Sequence, residues 1–329
     1  MDKIRVGMIG CDLHTLYYAV LMAEHDPLVL RGDGAGCDRG QAAFFYHYTH
    51  YNDPRCLTAP RVWDFAIVKC WDPDPENAAA MHRIFGAQVC ERFEDCSDDV
   101  DLVFIPDCNG DGSTKLRLAT PGLEKGVPTF VDKPLAYEYQ DAKAILDLGE
   151  ARGTPVMSIS ILRAVPQAKW FHDRLQEVWP VGYGSVKGGG AAMAGHIHAL
   201  SLAQHVFGAG VVAVEAMGPN ELSYMHLDYG GNPDRPSHGV MLNCDSGPTW
   251  HCAFYVSAFG GQGAIHSGNI GDFEFPEGAG EILRRVARMV REGKATEPRD
   301  EMLENIAVAT AARIAQKEGR RVLLEEVTG

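Results

Sequence analysis

A lysine at the end of an apolar segment is the first candidate for chemistry in this chain. Residues 129–134 (Thr-Phe-Val-Asp-Lys-Pro) have the composition of a buried strand, and Pro134 favours extended geometry at Lys133 and ends the strand. At the carboxyl edge of a sheet, an ammonium group can hydrogen-bond a substrate hydroxyl or move a proton. The tripeptide alone is more typical of an ordinary turn, so its meaning depends on the elements around it.

The first strand and helix meet at a degenerate glycine turn. A buried strand is predicted over residues 4–10 and a helix over 13–24. A dinucleotide-binding fold has Gly-x-Gly-x-x-Gly at this junction, because bare backbone must approach the pyrophosphate at the helix N-terminus. Here Gly10 is present, but Asp12 and Thr15 replace the other two glycines. Gly10, Asp12 and Leu13 are the predicted cofactor contacts of a fingerprint that is weak by itself.

An acidic residue at the end of the second strand strengthens the dinucleotide interpretation. The predicted strand over residues 66–72 ends in Asp72, which could accept hydrogen bonds from the adenosine ribose hydroxyls. Neither Pro73 nor Asp74 offers the basic group that a ribose 2′-phosphate needs, so NAD is favoured over NADP. In the alternative interpretation Asp72 only caps the following helix or turn.

The segment 32–64 lengthens the usual spacing between the glycine turn and the acid. Its glycine and proline residues predict a surface loop, although its centre is rich in aromatic residues. It could cover a ligand, pack against a partner subunit or clasp its own domain. His47 and His50 have a spacing that could bind a metal, but no third ligand stands nearby, so no metal site is predicted.

Alternating apolar strands and helices predict the fold of the first half. A further strand over 100–106 leads into a loop, 107–113, whose Asn109 is a candidate cofactor contact. A helix over 114–125 then precedes the strand that ends at Lys133. This α/β alternation is typical of a doubly wound parallel sheet, that is, a Rossmann fold.

Composition and charge exclude several classes of function. The 329-residue chain is 46% hydrophobic and 22% charged, which is ordinary for a globular protein with room for two domains. Its formal net charge of −14 argues against nucleic acid and anionic membranes as partners. No apolar run could span a bilayer, and the N-terminal residues lack the pattern of a signal peptide. A cytoplasmic location is therefore expected.

The nine cysteines do not form a recognisable framework. They are scattered and contain no Cys-x-x-Cys pair, which favours reduced thiols over disulfides or a zinc site. Cys11 is expected to be exposed in a loop, and most of the others are expected to contribute to packing.

Taken together, these motifs resemble the Gfo/Idh/MocA family of sugar oxidoreductases. The resemblance rests on Gly10, Asp72 and the Asp132-Lys133-Pro134 segment, and it continues over nearly the whole chain. Its later elements are a helix over 140–152, a strand over 155–161, the segment 163–166 (Arg-Ala-Val-Pro) opening a helix, the triple glycine 188–190 before a His-containing helix, and a helix over 305–318.

The resemblance implies a second domain and a set of roles. It implies a Rossmann domain followed by an α+β domain with a large open, mostly antiparallel sheet, and oxidation or reduction of sugars or polyols with NAD(P). Asp132 and Lys133 match the family's Glu-Lys-Pro motif, in which the lysine contacts both the nicotinamide ribose and the substrate. The implied domains are 1–134, containing the insert 32–64, and 135–329, whose C-terminal helix is a candidate for packing back on the first domain.

The chain departs from the family at the expected proton-transfer site. The family histidine falls on His198, but the aspartate expected four residues earlier is Ala194, and the one expected three residues later is Ser201. A neutral imidazole near pH 7 can accept a hydroxyl proton, which makes Lys133 and His198 the predicted catalytic residues. His196 is an additional candidate for the substrate site. Both histidines could instead be structural and satisfied by backbone groups.

The second half is rich in strand-like segments separated by turns. Strands are predicted over 211–216, 239–244, 249–257 and 263–266. Arg163 and Tyr183 are candidates for binding a polyol or a carboxylate, although the sequence is about equally compatible with surface roles for both. Sheet packing or an interface is the role assigned to Trp250, His251 and Tyr255. Since one face of the family's sheet commonly pairs subunits, a homodimer or homotetramer is expected.

Three functions are compatible with these observations. The leading hypothesis is an NAD-dependent oxidoreductase acting on a sugar or polyol. The alternative keeps the fold but acts as a lyase, hydrolase or isomerase with recycled or absent NAD, which Asp12, Ala194 and the insert favour. The third is a ligand-binding or regulatory protein without catalysis, since fold alone does not determine function.

Overall fold

The computed structural model describes residues 2–32, 38–48, 57–107, 110–190, 192–245 and 252–329, without the side chains of Asp38 and Ala192. These residues form two compact units. The first comprises Met1–Leu135, Lys143–Ser158 and Pro276–Pro298, and the second comprises Ala136–Ala142, Ile159–Phe275 and Arg299–Gly329.

The strands and helices alternate in the first part of the chain. The strands of the described residues are β1 (Ile4–Ile9), β2 (Phe65–Trp71), β3 (Gln88–Val89), β4 (Leu102–Ile105), β5 (Thr129–Val131), β6 (Val156–Met157), β7 (Val181–Lys187), β8 (Ala213–Met217), β9 (Tyr224–Asp228), β10 (Val240–Asn243), β11 (Ala253–Gly260), β12 (Gly263–His266), β13 (Ile270–Gly271) and β14 (Val322–Leu323). The helices are α1 (Leu13–Met22), α2 (Pro27–Gly32), α3 (Asp38–Tyr48), α4 (Pro75–Phe85), α5 (Lys115–Glu124), α6 (Tyr139–Ala151), α7 (Pro166–Asp173), α8 (Ala192–Phe207), α9 (Phe275–Glu292), α10 (Arg299–Glu318) and α11 (Glu325–Thr328).

The first unit is built on a parallel sheet with the strand order β3-β2-β1-β4-β5-β6. This is the order of a doubly wound nucleotide-binding sheet, in which successive strands are added first on one side of β1 and then, from β4 onward, on its other side. The predicted fold of the first half is therefore confirmed. In such a sheet, side chains that follow β1, β2, β4 and β5 meet at one carboxyl edge.

The centre of this sheet is buried, and its packing leaves no room at one glycine. Val6, Met8 and Phe104 are completely buried, as expected for strands covered on both faces. A Cβ atom at Gly7 would lie 1.8 Å from the carbonyl oxygen of Cys96, so only glycine fits there. Gly7 thus allows β1 and the short helix Phe93–Ser97 to approach closely.

The segment 32–64 is not simply a surface loop, which corrects the sequence prediction. Residues 38–48 form α3, which packs against α1. Phe44, His47 and Tyr48 are buried, and the rings of Tyr17 and His47 are 4.4 Å apart. Three roles were considered for the insert. Its described part packs against its own unit, and the aromatic residues of α3 form the contact. His50 lies outside the described residues.

The second unit contains a sheet with the order β12-β11-β7-β10-β9-β8-β14, with β13 paired to β11. Neighbouring strands are antiparallel except β7 and β10, which run parallel. The predicted mostly antiparallel open sheet is therefore confirmed. Helices α8 and α10 pack on this sheet, whose covered face carries buried Val186, Leu242 and Val256.

Several elements of the second half differ from the prediction. Strands β7 and β9 and helix α9 were not predicted from the sequence. The strand predicted over 155–161 is too long, since β6 ends at Met157 and Ile161–Arg163 is a short 3₁₀ helix. The two glycines of β7 (Val-Gly-Tyr-Gly-Ser-Val-Lys) weaken its strand signal. Pairing with β10 and β11 on both sides forms this strand in spite of its composition.

No helix in the described ranges has the length and apolar character needed to cross a membrane.

Candidate functional site

The turn after β1 has the backbone conformation that a glycine permits. Gly10 has a φ of +96°, in the left-handed region that other residues adopt at a cost. Its N–H donates to the Trp71 carbonyl at 2.8 Å, and its own carbonyl accepts a hydrogen bond from the Thr15 hydroxyl at 2.7 Å. Thr15, which replaces a family glycine, therefore closes the turn at the start of α1. Leu13 is the first residue of α1 and is half-buried.

Asp12 caps the N-terminus of α1 with its own carboxylate. Its Oδ1 accepts hydrogen bonds from the backbone N–H groups of His14 at 3.0 Å and Thr15 at 3.3 Å. The side chain is buried. An anionic ligand at a helix N-terminus uses these same amide groups and the same favourable dipole. Asp12 thus supplies a negative charge where a bound pyrophosphate would place its own.

Asp72 follows β2 and is held by groups of its own unit. Its Oδ2 accepts from the Cys11 N–H at 2.6 Å, and its Oδ1 accepts from Asp74 N and Asn77 Nδ2, both at 2.9 Å. The N-cap of α4 is Asp74 rather than Asp72. Asp72 therefore links the glycine turn to α4 through hydrogen bonds. Because a carboxylate has about four lone-pair positions, Asp72 can still accept a hydrogen bond from a ribose hydroxyl.

Cys11 is buried, so the prediction that it is exposed in a loop was wrong. It lies between Gly10 and Asp12, and its side chain is 2% exposed. Its thiol has a pKa well above the usual range because of the hydrogen bond with Cys70 and because of burial. The cysteines whose structure is described form no disulfide bond with one another; they are Cys11, Cys70, Cys90, Cys96, Cys244 and Cys252.

Asp132 and Lys133 lie at the end of β5 and are both buried. The N–H of Asp132 donates to the Ile105 carbonyl at 2.9 Å, which extends the pairing of β5 with β4 by one residue. The Asp132 carboxylate contacts His14 Nδ1 at 2.6 Å. His14 was not predicted from the sequence, because no local pattern connects residues that are 118 positions apart.

Lys115 is a second residue of this edge that sequence reasoning missed. It is the first residue of α5, and its side chain is completely buried. Its Nζ donates to the Asp107 carbonyl at 2.9 Å and lies 3.9 Å from the Asp107 carboxylate. Burial lowers the pKa of Lys115, and the charges of Asp107, Asp132 and Asp12 oppose that shift. A lysine in a first helical turn opposes the helix dipole, and that signal could have identified it.

The carboxyl edge of the first sheet thus carries a group of charges, in which Asp12, Asp132, Lys115 and Lys133 are buried and Asp107 is half-buried. The ammonium of Lys115 interacts electrostatically with the other four groups. Buried charges are stable only when they are paired and hydrogen-bonded. The opposite charges at this edge therefore stabilise one another. Asn109 lies outside the described residues, and its proposed role stays a prediction.

In the second unit, His198 on α8 is oriented by a serine rather than an aspartate. Its Nδ1 is 2.7 Å from the Ser160 hydroxyl, which also accepts a hydrogen bond from Leu162 N at 3.2 Å. The imidazole is buried against the rings of Phe254 and Phe275. Because Ser160 accepts from Leu162, its own proton can be donated to Nδ1, which leaves the ring proton on Nε2.

Neither of the two positions near His198 where an aspartate was expected carries a carboxylate. Ala194 has no polar side chain, and the Ser201 hydroxyl donates to the Asn305 side chain at 3.3 Å. A hydroxyl orients an imidazole but does not stabilise its charged form as a carboxylate does. The Nδ1 atom of His198 is therefore held by a hydroxyl group.

His196, two residues earlier, makes a contact of a different kind. Its Nδ1 donates to the Glu221 carbonyl at 2.5 Å, and its side chain is buried. The Glu221 carboxylate accepts from the Tyr137 hydroxyl at 2.5 Å, and burial together with this hydrogen bond raises the pKa of Tyr137 to about 12. This backbone partner agrees with the interpretation of His196 as a structural residue. A role of His196 in substrate binding stays a prediction.

Arg163 and Tyr183 are placed by the second unit in different ways. The Arg163 guanidinium donates to Gln204 Oε1 at 2.7 Å and forms an ion pair with Glu301. Tyr183 is half-buried on β7, with its ring 5.8 Å from that of Phe259. Arg163 thus joins α8 to α10, whereas Tyr183 lies on the sheet. Substrate binding by either residue stays a prediction.

The described residues contain no group of three or more His, Cys, Asp or Glu side chains arranged to hold a metal ion. His47, once considered as a ligand, has its Nε2 2.9 Å from the Tyr17 carbonyl and is buried between α1 and α3.

The parallel sheet, with its left-handed glycine turn and the acid after β2, defines a dinucleotide-binding type of α/β unit. Residues 35–159 match the Gfo/Idh/MocA family model, described as an oxidoreductase family with an NAD-binding Rossmann fold. This match confirms the resemblance to that family. It begins after the β1–α1 turn, so the altered glycine fingerprint lies outside the matched residues. No curated protein matches the chain.

Solved structures resemble the whole chain at low sequence identity. A myo-inositol dehydrogenase from Corynebacterium glutamicum is 16% identical with a TM-score of 0.71, covering 98% of this chain and 99% of that one. The apo scyllo-inositol dehydrogenase from Lactobacillus casei is 12% identical, with a TM-score of 0.72 and coverage of 98% and 99%. An oxidoreductase from Agrobacterium radiobacter in complex with NAD+, L-tartaric acid and magnesium is 15% identical, with a TM-score of 0.69 and coverage of 99% of both chains. At these identities the likeness establishes the fold.

Proposed function

We propose that this protein is an NAD-dependent oxidoreductase that acts on a hydroxyl or keto carbon of a sugar or polyol. The observation that carries the proposal is Lys133, a buried ammonium immediately after β5 at the carboxyl edge of a doubly wound sheet. Ligands of such sheets bind at this edge. The inositol dehydrogenases among the similar structures support a polyol as the substrate class.

The residues of the first unit are suited to binding the adenosine half of a dinucleotide. Gly10 presents bare backbone in the left-handed conformation, and Asp72 supplies a carboxylate at the end of β2. A 2′-phosphate would meet the carboxylates of Asp72 and Asp74, which favours NAD over NADP. Gly10, Asp12, Leu13, Asp72, Asn109, Asp132 and Lys133 are the residues proposed to hold the cofactor.

The bound cofactor would supply a hydride acceptor, and the protein's own groups would handle the oxygen and the proton. Lys133 would hold the substrate oxygen through its ammonium donors, and proton exchange is assigned to His198, whose ring Ser160 orients. Residues 1–134, which lie in the first unit, would form the cofactor-binding domain, and the substrate-binding domain is proposed to lie within 135–329. Arg163, Tyr183 and His196 remain proposed substrate contacts in the second domain.

One observation favours the alternative function, in which NAD is recycled or absent. The Asp12 carboxylate occupies the amide groups that usually receive the pyrophosphate, which lowers the affinity of this turn for an anion. A pseudo-oxidoreductase acting as a lyase, hydrolase or isomerase would tolerate this change more readily than an enzyme that must bind and release NAD in every cycle.

Calorimetric titration with NAD, NADH and NADP, followed by turnover measurements, tests the proposal. NADH absorbance is monitored with a panel of cyclitols, sugars and acyclic polyols that includes myo-inositol and scyllo-inositol. NAD binding with net NADH formation supports the oxidoreductase. NAD binding without net NADH formation supports a recycled cofactor, and failure to bind NAD or NADH contradicts the proposal.

The Lys133→Ala substitution tests the residue that carries the proposal. General acid–base and positioning groups contribute about 10²- to 10⁴-fold, so we expect turnover to fall by at least about 100-fold while NAD affinity changes by less than about threefold. Lys143→Ala is the matched control, since Lys143 is an exposed lysine of the first unit paired with Asp147. Unchanged turnover in Lys133→Ala would refute the assigned role.

A further inference from the structure

The contact between His14 and Asp132 has the chemistry of a proton-exchanging pair. A carboxylate only accepts hydrogen bonds, so the 2.6 Å contact with Asp132 requires that His14 Nδ1 carries a proton. The neutral imidazole therefore has its lone pair on Nε2, the nitrogen that can take up a second proton. If Nε2 is protonated, the adjacent carboxylate stabilises the resulting positive charge.

The two members of the pair differ in their access to solvent. The Asp132 side chain is 1% exposed, whereas that of His14 is 26% exposed. A buried carboxylate that holds a partly exposed imidazole can pass protons between a buried position and water. Lys133, the next residue after Asp132, is 5% exposed and therefore also buried.

The surroundings keep the imidazole in a defined position. The backbone N–H of His14 donates to Asp12, and its ring makes an edge contact with Tyr18 at 6.5 Å. Asp132 also interacts electrostatically with the buried ammonium of Lys115, as do Asp12, Asp107 and Lys133. A purely stabilising ion pair is a weak explanation, since desolvation of buried charges offsets most of their attraction.

We propose that His14, held by Asp132, is the group through which the proton of the substrate hydroxyl leaves to solvent. This inference rests on the proposed function, but it assigns to His14 the uptake of the hydroxyl proton that the proposed function gives to His198. Asp132 stabilises an imidazolium at His14, whereas the Nδ1 partner of His198 is the Ser160 hydroxyl. When NAD is bound it would accept the hydride of the carbinol C–H bond with its electron pair, while the hydroxyl O–H bond breaks and a C=O bond forms. His14 Nε2 takes up the released proton, and the imidazolium paired with Asp132 then gives it to water. His14 is thus a proton-transfer residue and Asp132 is a positioning residue.

The test is chemical rescue of His14→Gln, using the polyol of the panel that the wild-type protein oxidises fastest. We expect kcat to fall by about 100-fold, with KM and NAD affinity changed by less than about threefold. Added imidazole should restore kcat in proportion to its concentration, because the free base replaces the missing proton acceptor. His82→Gln, which alters an exposed histidine on α4, should retain wild-type turnover without any response to imidazole.

Asp132 is tested by two substitutions. Asp132→Asn removes the charge that stabilises the imidazolium and should lower kcat by about tenfold or more, whereas Asp132→Glu should restore part of the loss. An equal loss of kcat in both variants would contradict the positioning role.

The possible failures are distinguishable. Absence of turnover by the wild-type protein removes the proposed function, and this inference with it. Wild-type turnover accompanied by full turnover of His14→Gln removes this inference alone. A folded His14→Gln protein that binds NAD but is not rescued by imidazole also contradicts proton release through His14, as does a variant that loses NAD binding.

Discussion

A single carboxylate changes the properties of the nucleotide turn at the residue scale. Asp12 accepts two of the N–H groups at the start of α1 and places a negative charge close to the position expected for the pyrophosphate. The formal charge of the turn thereby becomes unfavourable for an anion, although its backbone retains the left-handed glycine. The side chain should weaken cofactor binding without destabilising the helix that it caps.

We expect Asp12→Asn to tighten NAD binding. Asparagine caps a helix about as well as aspartate, so the substitution removes the charge and leaves the turn folded. Two charges a few ångströms apart near a protein surface interact by about 1–4 kcal/mol, which corresponds to at least about a fivefold change in affinity. Calorimetric titration of NAD into both proteins measures the effect.

Asp26→Asn is the matched control for Asp12→Asn. Asp26 accepts a hydrogen bond from Leu28 N at the start of α2 and is not among the residues proposed to hold the cofactor. Its replacement should leave NAD affinity unchanged. Equal or weaker NAD binding by Asp12→Asn would indicate that the carboxylate makes a favourable contact with the cofactor.

Helix α3 is the element that the chain adds between α2 and β2. It packs on α1, the helix whose N-terminus forms the nucleotide turn. The contact buries the imidazole of His47 against Tyr17. Burial lowers the pKa of His47 to about 3, so this element is held by a histidine that stays neutral in the folded protein.

The buried state of His47 predicts an acid-sensitive stability. The unfolded chain binds a proton at this residue below about pH 6.5, while the folded protein does not until about pH 3. Stability therefore falls as the pH decreases through this window, by about 1.4 kcal/mol per pH unit at full effect. Urea unfolding at several pH values should show a smaller decrease for His47→Gln than for the wild-type protein.

His82→Gln is again the appropriate control, because His82 is exposed on α4. Its stability should follow the wild-type protein across the same pH range. If His47→Gln shows the wild-type dependence, then His47 is protonated in the folded protein and α3 is not held by a neutral imidazole.

At the scale of the whole molecule, the outward face of the second sheet is the apolar surface through which subunits are expected to associate. Met217, Met241, Tyr255 and Phe259 are between 40% and 69% exposed. The register of β7 through β11 places all four on one face, opposite the buried face that carries Val186 and Leu242. Exposed apolar patches on a sheet are typical of subunit interfaces, which supports the proposed homodimer or homotetramer.

We expect the double substitution Met217→Glu and Met241→Glu to shift the protein toward the monomer. Two carboxylates without partners would be buried at the interface, at a cost of several kcal/mol. Sedimentation measurements at micromolar concentration compare this variant with the wild-type protein and with Trp170→Glu. Trp170 is exposed on α7 and lies outside the sheet. A wild-type monomer would contradict the proposal.

The sequence by itself determined the architecture of the first unit and the position of the residues proposed to be functional. Gly10, Asp72 and Lys133 each follow an apolar strand, and the ends of parallel strands meet at one edge of the sheet. Local composition and the strand–helix alternation were sufficient for that inference. Composition was less informative for β7, since its two glycines hide a strand that pairs on both sides.

The tertiary structure alone decided which side chains meet. His14 contacts Asp132 across 118 residues, and Ser160 contacts His198 across 38 residues. The burial of Lys115 and the packing of α3 on α1 likewise depend on elements that are distant in the chain. Periodicity and turn signals reflect local backbone preferences, whereas these contacts depend on how strands and helices pack, and packing is specified by the whole chain.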